Sequence, residues 1–304
     1  MSSSPYGFLH NSRLPSKDDI VAKCLRLGLV RGTRIVDPST GMVIAWVKFG
    51  PNVTINEACT QDWTAKALSA AGVSDLHVPR VFDAYTIDYY GNSLGFIAME
   101  YVEGVDCDSK DAELVAKAVE RLICLRAPPD ATLGHVGGGA ASIVHSFFPE
   151  WVTNAEYRSD RDFYAHIHNV SVCRCLEGAL TNSELFQIFT FLGIDFKGDI
   201  SGHRLYLCLS DFNAGNFRKH TTADGRLVVS VFDFRATCFM PAPFIEVALE
   251  QVQDPFSQAV AKKITYPHPR SEVATHLLSA SGSLVQHGSK AVGARSLLNL
   301  VPML

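Results

Sequence analysis

Acidic and amide side chains follow two apolar runs in the second half of the chain. The run "LYLCL" leads to Asp211 and Asn216, and the run "LVVSVF" leads directly to Asp233. Short apolar runs rich in Leu and Val predict buried strands, so these side chains stand just past the strand ends. Carboxylate and amide oxygens are ligands that Mg²⁺ prefers. The pattern therefore predicts a magnesium site at the ends of two strands.

Phosphoryl transfer from ATP is the chemistry that best matches these residues. It requires a fixed cation and magnesium beside the triphosphate, and a carboxylate that accepts the proton of the acceptor hydroxyl. Asp211 and Asn216 have the D-x-x-x-x-N spacing of a kinase catalytic loop, in which Asp is the base and Asn a metal ligand. Asp233 stands where such a fold places its main magnesium carboxylate. Lys48 ends the run "AWVKF" and Glu57 begins the next helix, which predicts an ion pair that aims the lysine at the phosphates.

The first half of the chain predicts the sheet that must position Lys48. The runs "GTRIV" and "MVIAWVKFG" flank the turn "DPSTG" and predict a hairpin, and "RVFDAYTID" and "LGFIAMEYVEG" predict another around the turn at 90–92. Between them, Thr54 and Glu57 form a T-x-x-E capping box, and Gly72 ends the helical pattern. We therefore expect a small β-rich lobe with one inserted helix over residues 32–103.

The remaining segments predict a larger, mostly helical second lobe over residues 104–253. It starts with the amphipathic run "DAELVAKAVERLICLR", continues through a loop rich in Pro and Gly, and includes the two strands described above. Residues 1–31 form an extension that is weakly helical at "KDDIVAKCLRLGL", and 254–304 form a terminal helix and tail. The expected fold is a bilobal α+β architecture, and acceptor specificity is expected from the variable segment 126–193.

Composition excludes several classes of partner. The chain has 304 residues, of which 47% are hydrophobic, so it can bury a large core. Only 19% are charged and the net charge is -4, which argues against binding to nucleic acid or to an anionic membrane. The start "MSSSPYGFLHNSRLP" lacks the features of a signal peptide, and no apolar run approaches the roughly 18 residues of a membrane span. We expect a cytoplasmic protein whose partner is a small molecule.

Cysteine usage favours reduced thiols over a disulfide framework. The eight cysteines are scattered and form no CxxC pair. His166, His168, Cys173 and Cys175 form an HxH and a CxC that could converge on zinc if the segment were a strand, but not if it were a helix. We favour ordinary side chains of a lid segment over a zinc site.

Five stretches also resemble one known family. "WVKFGPNVTINEA", "VPRVFDAY", "IAMEYVEG", "LSDFNAGNF" and "FDFRATCFMPAPFIEVA" occur in an order and spacing similar to the aminoglycoside phosphotransferase and choline kinase-like family, in particular its fungal members. The resemblance covers about residues 32–250. It implies a protein kinase-like fold, ATP and Mg²⁺ as cofactors, and transfer of a phosphoryl group to a hydroxyl of a small molecule.

The resemblance also implies a role for each matched residue. Lys48 matches the phosphate-binding lysine and Glu57 matches its partner on the helix. Asp211 matches the catalytic aspartate, and Asn216 and Asp233 match the magnesium ligands.

The nucleotide itself is expected at a hinge and a turn. The stretch "AMEYVEG", with Glu100, Tyr101 and Val102 at its centre, matches the hinge whose main chain hydrogen-bonds adenine. The first hairpin has no G-x-G-x-x-G, so we expect the main-chain amides of the "DPSTG" turn to bind the phosphates.

Three residues depart from the family's pattern and leave a second function open. Leu209 and Ser210 replace the His and Gly that precede the catalytic aspartate, and Arg235 replaces an acidic residue beside the metal site. The alternative function is a catalytically weak, kinase-like protein that binds a nucleotide or a partner. A protein kinase is disfavoured, because no A-P-E motif or activation segment follows Asp233.

An acidic run after the hinge has two interpretations. It could attract a cationic acceptor to the mouth of the cleft, or it could be the start of a solvated helix, where carboxylates are favourable. We favour the helix start. The run consists of Glu103, Asp106, Asp108, Asp111 and Glu113.

Overall fold

The computed structural model describes most of the chain outside residues 168–203 and the two termini. The described residues are 5–28, 30–137, 143–148, 150–153, 157, 161–164, 167, 204–265 and 271–287. The helices are α1 (Lys17–Leu27), α2 (Ile55–Ala70), α3 (Ala112–Ile123), α4 (Ala242–Glu250), α5 (Pro255–Ala261) and α6 (Glu272–His287). The strands are β1 (Gly32–Val36), β2 (Val43–Gly50), β3 (Leu76–His77), β4 (Val81–Tyr89), β5 (Asn92–Met99), β6 (Val105–Asp106), β7 (Leu205–Leu209), β8 (Phe217–Thr221), β9 (Leu227–Val231) and β10 (Thr237–Pro241).

The amino-terminal sheet is antiparallel, with the strand order β1-β2-β5-β4. Both predicted hairpins are present. The turn between β4 and β5 has φ of 54° at Tyr90 and 76° at Gly91. Positive φ at both central residues gives a turn whose twist matches that of the flanking strands.

Helix α2 packs on one face of this sheet, and its predicted capping box forms only in half. The Thr54 hydroxyl accepts a hydrogen bond from the Glu57 N–H at 3.1 Å. The return bond from the Glu57 carboxylate is not made, because that carboxylate points to Lys48. A buried carboxylate is stabilised more by a cation than by a main-chain amide, which explains why the ion pair replaces the second bond of the box.

The segment before β1 packs against the sheet on both of its faces. Ile20 and Cys24 of α1 are buried in the cluster on the face opposite α2. Phe8 joins the cluster on the α2 side, and the Leu9 N–H donates to the Val81 carbonyl at 3.1 Å. These residues therefore extend the core of the sheet.

The second half of the chain presents two further pairs of strands. β7 pairs antiparallel with β10, and β9 lies inside a sheet of order β3-β9-β8-β6. β7 and β9 precede the loops that carry Asp211 and Asp233, so these two strands position the predicted site. The largest core cluster packs α3 and α4 against these strands.

The expected α+β class, with a β-sheet amino-terminal region, is confirmed. Among the described residues, no helix has both the length and the apolar character needed to cross a bilayer. The six cysteines in the described part of the chain are free thiols, as predicted from their scattered spacing.

Candidate active site

Lys48 joins the two halves of the protein. Its Nζ lies 2.6 Å from Oε1 of Glu57 and 2.8 Å from Oδ1 of Asp233. Burial lowers the pKa of Lys48, but the two carboxylates raise it more strongly, so its pKa lies above the ordinary value. Lys48 is therefore a fixed cation at neutral pH, and the ion pair with Glu57 that the sequence predicted is present.

Glu57 depends on Lys48 for its charge. The side chain is fully buried, and its second oxygen, Oε2, has no hydrogen-bond partner among the described residues. Burial raises the pKa of Glu57 above its ordinary value, while Lys48 opposes the rise and Asp233 adds to it. A buried carboxylate without a cation is costly, so Lys48 and Glu57 stabilise each other.

Asp233 is held in an unusual main-chain conformation. It follows β9 with φ of 59° and ψ of 74°, in the left-handed region, which is uncommon for residues other than glycine. Its Oδ1 accepts the Lys48 bond and a further bond from the Arg235 N–H at 3.4 Å. Such strain tends to occur at functional sites, so this conformation supports a role for Asp233.

The loop after β7 places Asp211 and Asn216 next to the Asp233 loop. The Ser210 N–H and hydroxyl both donate to the Ala236 carbonyl, at 3.0 and 3.1 Å. Asn216 is buried, and its amide Nδ2 donates to the Asp211 carbonyl at 3.4 Å. The Asn216 carbonyl accepts from the N–H of Phe232, which immediately precedes Asp233. The two loops are thus fastened to each other.

Asp211 and Asp233 line one cavity of about 360 Å³. Glu150, Trp151 and Arg235 line it too, whereas Asn216 does not. In the described ranges, no cluster of three or more His, Cys, Asp or Glu side chains could hold a metal. The charged groups that line the cavity are thus three carboxylates and one guanidinium.

Trp151 and Arg31 are candidate functional residues that sequence reasoning missed. Trp151 is a non-glycine residue with φ of 63°, and it lines the cavity from the segment that was expected to set acceptor specificity. Arg31 precedes β1 and is exposed; its Nη1 lies 3.6 Å from the position that a β-carbon on Gly215 would take. No local sequence signal marks either residue, because both positions depend on contacts between distant segments.

The expected phosphate-binding turn lies at the wrong end of its hairpin. Gly32 pairs with Lys48, and Val36, beside the turn, pairs with Val43. The "DPSTG" turn is therefore separated from Lys48 by the length of the strands, and its amides do not face the lysine. The part of β1 next to Lys48 is its first residue, which brings Arg31 to this end of the hairpin.

The hinge residues line a cavity distinct from the one that contains Asp211 and Asp233. Glu100, Tyr101 and Val102 line a different cavity of about 700 Å³, which Lys48, Asp211 and Asp233 do not line.

Two side chains of the hinge contact neighbouring cationic or titratable residues. Glu100 pairs with His77 at 3.2 Å; burial raises the pKa of Glu100, but His77 and Arg80 lower it to below its usual range. The guanidinium of Arg34 lies 5.0 Å above the ring of Tyr101.

The acidic run after the hinge forms local structural contacts. Asp108 and Asp111 form a reciprocal capping box at the short helical turn before α3. Asp111 also pairs with Lys219 at 2.6 Å, and Asp106 pairs with Arg218 at 2.8 Å. These contacts favour the helix-start interpretation.

Two predictions lie outside the described residues. One is the zinc alternative at His166, His168, Cys173 and Cys175, and the other is most of the acceptor segment at 126–193.

Comparison with known proteins identified similar solved structures. No protein-family model matches the chain, and no curated protein does so either. The streptomycin-ATP-APH(2")-IIa ternary complex is similar at 14% identity over 94% of this chain and 97% of that chain, with a TM-score of 0.41. The microcompartment-associated aminopropanol kinase is similar at 14% identity over 93% and 98%, with a TM-score of 0.38. The choline kinase LicA from Streptococcus pneumoniae is similar at 14% identity over 91% of each chain, with a TM-score of 0.35. All three TM-scores are below 0.5, and we infer no activity, substrate or cofactor from these likenesses.

Proposed function

We propose that the protein is an ATP- and magnesium-dependent phosphotransferase that acts on a hydroxyl of a small molecule. The observation that carries this proposal is the contact of Lys48 with both Glu57 and Asp233, beside a cavity that Asp233 shares with Asp211. A fixed cation, a metal-ligating carboxylate and a separate carboxylate base are the groups that phosphoryl transfer requires.

Each residue has a distinct task in this mechanism. Lys48, oriented by Glu57, offsets the negative charge of the phosphates. Asp211 orients the acceptor hydroxyl and takes its proton as the new O–P bond forms and ADP leaves. We assign Glu100, Tyr101 and Val102 to the nucleotide's base, as the family resemblance implies.

The donor set fits magnesium. Asp233 and Asn216 offer a carboxylate and an amide oxygen, and Mg²⁺ is usually bound by one or two carboxylates together with substrate phosphates and water. The Asp233 side chain is 38% exposed, so it is accessible to an ion. When bound, the ion would neutralise charge on the phosphates.

In this proposal the catalytic unit consists of two lobes. Residues 32–103 form the smaller lobe and 104–253 the larger one, with 1–31 and 254–304 as flanking segments.

The experiment that tests the function measures binding and transfer separately. Thermal unfolding with ATP should show a larger stabilisation when magnesium is present, since ligands that bind the folded state stabilise it. Phosphoryl transfer is then followed by ³¹P NMR across a panel of amines, amino sugars, sugars and simple alcohols. An absence of any ATP effect at every magnesium concentration would remove the proposal.

A kinase-like binding protein without catalysis is the second candidate, and one observation favours it. Trp46 stands two residues before Lys48 and therefore lies on the same face of β2. Its indole packs so tightly on Gly32 that a β-carbon there would lie 2.7 Å from the indole nitrogen. Arg34, paired with Trp46 across the sheet, covers Tyr101. In a kinase-like arrangement, side chains in these positions would occupy part of the space that adenine needs.

Trp46→Ala tests whether the indole binds adenine or blocks its site, and the transfer assay above separates the enzyme from the binding protein. If the indole stacks on adenine in a working enzyme, the change weakens ATP binding by about 10-fold, on the scale of base–aromatic stacking. If the indole fills the cleft, the same change leaves binding unchanged or strengthens it.

A further inference from the structure

Arg235 is a cation in the cavity that holds the candidate catalytic residues. It lines this cavity with Asp211 and Asp233. No ion pair involves its guanidinium among the residues that the structure describes, whereas Lys48 is already bound by two carboxylates. The guanidinium of Arg235 is therefore available to bind a negatively charged ligand near Asp211.

Both main-chain polar groups of Arg235 form hydrogen bonds. Its N–H donates to Oδ1 of Asp233 at 3.4 Å. Its carbonyl accepts a hydrogen bond from Nε2 of buried His135 at 2.8 Å. The next carbonyl, that of Ala236, accepts the two bonds from Ser210. The guanidinium thus extends from a rigid base.

His135 belongs to a segment that links the Arg235 loop to α2. The Val136 N–H donates to the Thr60 hydroxyl on α2 at 2.9 Å. Gly134 exchanges two main-chain bonds with Phe239 of β10, at 3.0 and 2.7 Å. Thr60 follows Glu57 by one helical turn, so one helix carries both the partner of Lys48 and the support of His135. The two cations of the site are therefore positioned by a common element.

We infer that Arg235 binds the phosphoryl group while it moves from ATP to the acceptor, an inference that rests on the proposed function. In the step, the acceptor oxygen forms a bond to the γ-phosphorus, the bond to the β–γ bridging oxygen breaks, ADP leaves with that oxygen, and Asp211 takes the acceptor's proton. The charge of the moving group spreads over its three equatorial oxygens. A planar guanidinium donates to two such oxygens at once.

Arg235 is less suited to binding an acceptor that carries a negative charge. Glu150, Asp211 and Asp233 line the same cavity, so three carboxylates would repel an acceptor that carries its own negative charge. The phosphoryl group differs because Lys48 and the proposed magnesium ion would offset its charge. Arg235 is therefore assigned to the group in transfer.

The test compares the binding of magnesium–ADP with and without fluoroaluminate, which mimics a phosphoryl group in transfer. In the wild-type protein, fluoroaluminate should tighten ADP binding by about 100-fold or more, the lower range for transition-state analogues. Arg235→Gln should bind ADP as the wild type does and lose most of this gain in affinity, and Arg235→Lys should recover part of it.

Two sets of variants serve as controls for the gain in affinity. Arg26→Gln, a matched change at an exposed position in the last turn of α1, should keep the full gain. His135→Gln keeps a donor for the Arg235 carbonyl and should keep more of the gain than His135→Phe.

Each remaining outcome counts against a specific statement. If fluoroaluminate tightens binding equally in wild type and Arg235→Gln, or in neither, Arg235 does not bind the group in transfer, although nucleotide binding stands. If Arg235→Gln instead selectively lowers the turnover of acceptors that carry a carboxylate and leaves neutral acceptors unaffected, Arg235 belongs to the acceptor site and the inference is overturned. If the wild-type protein binds no magnesium–ADP, the proposed function itself fails. Circular dichroism of each variant confirms that it is folded before binding is measured.

Discussion

Lys48 Nζ lies 2.8 Å from Oδ1 of Asp233, although the two residues are separated by 185 positions in the chain. The contact links β2 of the first sheet to the loop after β9. Asp233 has φ of 59°, an uncommon backbone conformation for a residue other than glycine. The contact with Lys48 therefore depends on the rest of the loop, which must stabilise this conformation. The site is therefore assembled by tertiary structure, and its properties are testable residue by residue.

Replacing Asp233 should remove the response to magnesium. Asp233→Ala deletes a proposed metal ligand and one of two partners of Lys48, so ATP should stabilise the variant equally with and without magnesium. Thermal unfolding across a magnesium titration measures this. Asp224→Ala, at an exposed carboxylate that pairs with Arg226, should behave like wild type. A full magnesium response in Asp233→Ala contradicts the assignment.

Removing the lysine should destabilise the fold through Glu57. Lys48→Met leaves a buried carboxylate without its cation, so the free energy of unfolding should fall by about 3 kcal/mol, on the scale of a broken buried ion pair. Lys48→Met combined with Glu57→Gln should recover part of this loss. Urea denaturation of the wild-type protein and the two variants measures both effects, and a double variant no more stable than Lys48→Met would show that the pair is not coupled.

Replacing Asp211 should separate binding from turnover. Asp211→Asn keeps the shape of the side chain but cannot take a proton, so turnover should fall by about 100-fold or more, the scale of general-base catalysis. Affinity for magnesium–ATP should remain near the wild-type value, because the proposed mechanism places Asp211 at the acceptor hydroxyl and not at the nucleotide. Slow hydrolysis of ATP provides the assay until an acceptor is found. Equal rates in variant and wild type would exclude Asp211 as the base.

Arg31 should contribute to binding of phosphates. Its guanidinium lies beside Gly215 at the end of the hairpin where Lys48 stands. Arg31→Ala should lower the affinity for ATP by about 10-fold, because one charge-assisted hydrogen bond contributes about 1.5 kcal/mol or more. Binding of adenosine should stay unchanged, and calorimetry with both ligands measures the contrast. Arg13→Ala, at another exposed arginine, is the control, and equal losses for ATP and adenosine would refute the role.

Acid should destabilise the protein partly through His145. The residue is fully buried; its Nδ1 accepts from the Phe147 N–H at 2.9 Å and its Nε2 donates to the Phe244 carbonyl at 3.1 Å. Burial lowers the pKa of His145 to about 3, although the Phe244 carbonyl opposes the change.

The pH dependence follows from the difference between the folded and unfolded states. With an unfolded pKa of about 6.5, the unfolded chain binds a proton that the folded chain excludes. The free energy of unfolding should therefore fall as pH drops below that value, by about 1.4 kcal/mol per pH unit. Urea denaturation at several pH values measures the slope. His145→Gln, which is neutral throughout, should show a smaller slope, and an unchanged slope would exclude His145 as a cause.

The sequence predicts local features of this protein more completely than distant contacts. The cap at Thr54, the helix after it and both hairpins follow from short patterns, and the proximity of Lys48 to Glu57 follows from one strand and the next helix. The phosphate-binding role of the "DPSTG" turn was wrong because it ignored the pairing register, in which Gly32 and not the turn faces Lys48.

Residues that depend on tertiary contacts had no signal that single-sequence reasoning could use. Arg31 lies beside Gly215, and His135 hydrogen-bonds the Arg235 carbonyl, which is 100 positions further along the chain. Neither contact has a fixed spacing or a characteristic motif. The order of the family-like stretches predicted which loops form the candidate site, while the side chains that support those loops became evident only in the structure.

The short strand β3 has a consequence for any attempt to divide the protein. Leu76 and His77 belong to the first half of the chain, yet they pair in parallel with Val229 and Ser230 of β9. Cutting the chain at the hinge would strip β9 of this neighbour and leave an unpaired, apolar edge, which is a template for aggregation. The two proposed lobes therefore share a sheet, and we expect that neither can be recovered as an independent folding unit.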